Sequence, residues 1–102
     1  MRNNNCICNL LKYISVLQDN STNMCNFNCY NTRVISIYKK NGDLFTTNYG
    51  NNDNQFFRVM NVSDNCVTLL VLVCINGCYR STKQFITVNL DCICAVKRIK
   101  DV

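Results

Sequence analysis

Five apolar side chains near the start of the chain, Ile7, Leu10, Leu11, Ile14 and Leu17, recur at the three-and-four spacing of one helical face. The polar run Gln18-Asp19-Asn20-Ser21 ends that pattern. A linker from Thr22 to Thr32 follows, rich in asparagine and carrying Cys25 and Cys29. Beyond it the rhythm changes to that of strands. Arg33 to Lys39 mixes β-branched and aromatic residues, and Asn41-Gly42 is a strong hairpin signal because a tight two-residue turn needs positive φ at both positions. Leu44 to Thr47 is the expected return strand, Tyr49 to Gln55 a polar loop, and Phe56 to Val62 a third strand.

Cys66 to Cys74 is the most apolar run. It is short and β-rich, which predicts a central strand covered on both faces. Asn76-Gly77 gives a second turn. Phe85 to Leu90 alternates, with Ile86, Val88 and Leu90 on one side, and Cys92 to Ile99 makes the last strand, bending at Asp91. The sum is a mainly β fold: a compact antiparallel β-sandwich or barrel of about six strands, preceded by one N-terminal α-helix. Residues 1–31 form a helical arm and cysteine-rich linker, and residues 32–102 a single compact β domain.

Composition narrows the chemistry. The chain has 102 residues, enough for one domain whose own core is modest. It has no histidine, no tryptophan and no proline. The missing histidine removes the usual general base near neutral pH and the commonest zinc ligand, which argues against hydrolases and proteases and for a non-enzymatic role. The net charge of +5 is spread thinly, and only Tyr38 stands beside a basic pair, Lys39-Lys40, so no nucleic-acid footprint is expected. No signal peptide is visible after Met1, and no apolar run approaches the ~20 residues of a membrane helix. The sequons Asn20-Ser21-Thr22 and Asn61-Val62-Ser63 are chance matches in an asparagine-rich chain.

Nine cysteines are the dominant feature. Such a load belongs to oxidised proteins, yet nothing in the sequence directs the chain to an oxidising compartment. Zinc binding through thiolates is one resolution, but no pair shows the two-residue spacer that structural zinc sites favour. The same missing spacer excludes a thioredoxin-like redox centre. A secreted disulfide-stapled toxin conflicts with the missing signal and the odd cysteine count.

Disulfide stapling remains, and an odd count leaves at least one thiol for another chain. Cys6, Cys8, Cys25 and Cys29 sit in polar, asparagine-rich surroundings and are the candidates for bonds between subunits. Cys74, Cys78, Cys92 and Cys94 are candidates for further disulfides. Two residues apart on a strand, Cys92 and Cys94 would share a face at about 6.5–7 Å between Cα atoms, so they would point together at another partner instead of bonding each other. Cys66, inside the apolar run, is expected as a buried thiol.

Four stretches carry a likeness to a known family. They are Cys6-Ile-Cys8 leading through Tyr13–Asp19 to Cys25, the segment Ile37–Phe45, the pair Phe56–Val59 and Cys66–Leu72, and Phe85–Val96 with its strand running into Cys92-Ile-Cys94-Ala95. Together they resemble the CotY/CotZ/ExsY family of cysteine-rich spore coat and exosporium proteins. The resemblance implies a structural protein without cofactor that self-assembles into a two-dimensional lattice of hexameric rings crosslinked by disulfides. Its partners would be copies of itself and other coat or exosporium proteins. It would be made in the mother-cell cytoplasm and laid on the outer layer of the endospore, which reconciles the cysteine load with the missing signal. The alternative function is a small cysteine-thiolate zinc domain.

Overall fold

The structure, a computed structural model, describes residues 5–17, 29–30, 32–49 and 52–100. The expected helix stop at 18–21, the sequon at Asn20 and the linker thiol Cys25 lie outside the described residues. Helix α1 (Asn5–Ser15) is followed by β1 (Cys29–Tyr30), β2 (Val34–Lys39), β3 (Thr47–Tyr49), β4 (Asn52–Asn54), β5 (Phe56–Ser63), β6 (Cys66–Ile75) and β7 (Cys78–Asn89). A single 3₁₀ turn (Leu90–Cys92) then leads into β8 (Ile93–Lys100). The fold is mainly β, with one N-terminal helix and an antiparallel sheet in the order β1-β7-β6-β5-β2-β8.

Only three residues join β7 to β8, although three strands separate these two in the sheet order. The sheet must therefore curl so that its two flanks approach. Val88 of β7 accordingly lines the same cleft as Ile37 of β2 and Ile93 of β8. Among the described residues β7 and β8 do not pair, so no ladder closes the curl.

The helix fills the concave side. Leu11 and Ile14, wholly buried, pack with Ile35, Ile37, Phe57, Val59, Val67, Leu69, Val71 and Leu90. The odd-numbered positions of β6 thus face the helix. Its even positions Leu70 and Leu72 face the other way, into a second cluster with Val34, bordered by Phe56, Met60 and Tyr79. The central apolar strand is buried on both faces, as its composition predicts. Burying side chains of this size contributes about 1.5–3 kcal/mol each, so these two clusters hold the fold.

The turns follow their residues. Asn76 (φ +53°) and Gly77 (φ +78°) form the two-residue turn between Ile75 and Cys78, with positive φ at both positions as expected. At Asn41-Gly42 only Gly42 (φ +91°) is left-handed. The Gly42 N–H donates to the Lys39 carbonyl (2.9 Å) and the Lys39 N–H to the Asp43 carbonyl (2.8 Å), which closes a longer turn with a glycine bulge.

The return strand expected at Leu44–Thr47 is reduced to one bridge, Leu44 with Tyr38. Phe45 turns into the core instead, its ring 5.6 Å from that of Phe57, and regular pairing resumes only at β3. Within the expected polar loop, β4 pairs with β3. Strand β7 is far longer than the Phe85–Leu90 segment. Its first half is polar and kinked by a bulge in which Thr82, Lys83 and Gln84 stand against the single residue Val71. The buried Thr82 hydroxyl donates to the Val71 carbonyl (2.8 Å) and accepts from the Gln84 N–H, and Lys83 adopts φ +65°.

Candidate functional site: the exposed thiols

Each cysteine is placed by its element. In a helix, residues two positions apart lie about 200° apart around the axis, so Cys6 and Cys8 diverge. Cys6 is exposed, whereas Cys8 turns partly into the core beside Ile7. Cys66 and Cys74 open and nearly close β6, and eight residues of strand separate them by about 26 Å. They share one face, away from the helix, and cannot reach each other. Cys92 closes the 3₁₀ turn, and Cys94 lies where β8 bulges against β2 between Tyr38 and Lys39.

Cys6, Cys66, Cys74, Cys92 and Cys94 are all exposed free thiols. Cys78, the first residue of β7, is disulfide-bonded. The backbone of Cys29 lies in β1, where it pairs with Arg80.

Cys66 requires a correction. Its place in an apolar run marks it as a buried thiol, but it is exposed. It is the first residue of β6, directly after the Asp64-Asn65 turn, and it lies opposite the polar Asn89 on the last rung of the ladder. Cys92 and Cys94 do not form the same-face strand pair that their spacing suggests, because Cys92 belongs to the 3₁₀ turn.

The surroundings of these thiols differ. Cys92 borders an open cleft of about 510 Å³, with an apolar lining from Ile37, Phe45, Val88 and Ile93 and with Lys39 and Lys40 beside it. Cys66 follows a braced turn: the Asn65 side-chain amide donates to the Asn89 side-chain oxygen (2.9 Å) and to the Asp91 carboxylate (3.0 Å). Cys74 lies across from Tyr79. Burial raises the Tyr79 phenol above its ordinary value of 10.0, and the charge of the Cys74 thiolate and a hydrogen bond with that sulfur add to the rise.

Among the described residues, no three cysteines or acids converge in a way that would hold a metal ion, and no helix is long and apolar enough to cross a membrane. The residues that sequence reasoning missed are Arg80, Ser81 and Lys83. With Tyr30 they line a hollow of about 280 Å³ beside β1. The only signal for them was an unbroken polar run with no alternation. Comparison with protein families, with curated proteins and with solved structures returns no match for this chain.

Proposed function

We propose that this chain is a structural building block of a bacterial endospore outer layer, coat or exosporium, which assembles with copies of itself into a two-dimensional lattice and is then locked by disulfides. The observation that carries the reading is the placement of the free thiols. Five are exposed, and they are spread over four elements: the helix, the two ends of β6, the 3₁₀ turn and β8. Cys66 and Cys74 can form bonds only with other partners, and an exposed thiol is a natural welding point between chains.

The resemblance of the cysteine-bearing stretches to the spore coat and exosporium family supplies the biological setting, the six-fold rings and synthesis in the mother cell. Noncovalent contacts would come first, in a reducing cytoplasm, and oxidation afterwards. Each intersubunit bond would add about 2–4 kcal/mol where it constrains the chain. Its larger effect is kinetic, because a covalent sheet dissolves only when it is reduced.

The test is direct. Purified protein should form large ordered assemblies, visible by electron microscopy, that survive heat and denaturant until a reductant is added. Replacing the exposed Cys6, Cys66, Cys74, Cys92 and Cys94 together by serine should make those assemblies soluble on boiling. A wild-type chain that stays monomeric and reduced under oxidising conditions would sink the reading.

A further inference from the structure

The β6–β7 hairpin carries opposite charge at two separate places along its length. At one end the turn between β5 and β6 presents the exposed Asp64 at φ +54°. The hydrogen bonds of Asn65 to Asn89 and Asp91 brace this turn against the 3₁₀ turn. In the half of β7 nearer the Asn76-Gly77 turn is the hollow lined by Tyr30, Arg80, Ser81 and Lys83, two cations and two hydroxyls with no acid among them. The Lys83 N–H donates to the Ser81 hydroxyl oxygen (2.9 Å), which fixes the bulge and leaves the Ser81 hydroxyl hydrogen able to donate. The Arg58 guanidinium lies 4.3 Å from the centre of the Tyr30 ring. Lys39 and Lys40 stand near Asp91 across the cleft, so the attraction falls mainly to Asp64.

We propose that the Asp64-Asn65 turn of one copy docks into the Tyr30–Arg80–Ser81–Lys83 hollow of the next, making the β6–β7 hairpin a head-to-tail connector. This rests on the assembly reading and names one of its contacts. The two surfaces differ and lie apart along one hairpin. The interface is therefore heterologous, and it propagates into a ring when the rotation closes and into an open array when it does not. Opposite charge steers the encounter and sets its register.

The thiols are placed to follow. Cys66 comes directly after Asn65, and Cys74 shares its sheet face with Tyr79 and with Ser81, one of the residues lining the hollow. Both are exposed on one face. Docking brings Cys66 of one chain to Cys74 of the next. A small-molecule disulfide of the glutathione class is the oxidant: one protein thiolate attacks it and releases one small thiol. The second protein thiolate then displaces the other, which leaves one interchain S–S bond and two small thiols.

The experiment mixes ¹⁵N-labelled and unlabelled wild-type chains with oxidised glutathione and maps crosslinked peptides without reduction. Mixed-label Cys66–Cys74 peptides are the expected dominant product. Asp64→Lys should slow their formation about tenfold or more, by placing like charges together. Adding Arg80→Asp and Lys83→Asp to the same chain should restore it, and raised salt should slow the wild type. Retention of the native fold by each variant is checked by circular dichroism. If Asp64→Lys assembles with an undiminished Cys66–Cys74 yield, or if another thiol pair dominates, this contact is wrong while the assembly reading stands. If the wild type never associates, the assembly reading falls and takes the contact with it.

Discussion

The interior of β6 and its two ends obey different rules. Val67, Leu69 and Val71 are wholly buried against the helix, and Leu70 and Leu72 are nearly as buried on the opposite face. One step outside this run, Cys66 is exposed, and Cys74 is exposed two residues beyond Leu72. The same strand therefore holds the fold with its middle and carries exposed thiols at its ends. Stability and the proposed crosslinking would be separable properties of one element, because they rest on different residues.

That separation can be broken or sharpened by substitution. The largest effect is expected from Phe57→Ala, which empties the centre of the main cluster and removes the Phe45 contact. It should cost about 3–5 kcal/mol, read as a lower urea midpoint under reducing conditions. Leu11→Ala should cost about 2–5 kcal/mol, because a wholly buried helix side chain leaves a cavity against the sheet. If that loss were near zero, the helix would not be part of the core. Gly77→Ala should cost about 1–2 kcal/mol, since an L side chain resists φ +78° even though nothing crowds the added methyl group. Cys66→Ser should change stability by less than about 0.5 kcal/mol while abolishing whatever crosslinks pass through that residue. A large loss of stability there would mean that the ends of β6 are structural after all.

The smallest signal is the Tyr79 titration. A phenol whose value is raised on folding favours the neutral form. Its contribution to stability is fully present below pH 10, the unfolded value, and fades as the pH climbs through the higher folded value. Ultraviolet titration should show one tyrosine ionising late, and Cys74→Ser should bring it partly back, since burial remains.

Much of this division was legible in the residues. The helix showed in Leu10, Leu11 and Ile14, because amphipathic spacing reports a buried face whatever lies opposite it. The Asn76-Gly77 turn showed because its backbone demands positive φ. The first half of β7 did not show: Arg80 to Gln84 is held in the sheet by its pairing with β6, and a local pattern does not report a partner strand. The hairpin after β2 was half right, since the turn chemistry was local while the inward swing of Phe45 depended on Phe57, twelve residues away. Cys66 was misplaced because its apolar neighbours hid its position on the first rung of a strand. The hollow beside β1 was invisible for a related reason: Tyr30 and Arg80 meet only through β1–β7 pairing.

Strand β8 stands at one margin of the sheet and presents Lys97 and Arg98 to solvent. Cations along such a margin repel a second copy arriving side by side and discourage the endless stacking of bare strands. Under the proposed assembly, that protection would steer growth away from fibres and toward contacts that a later oxidation can make permanent.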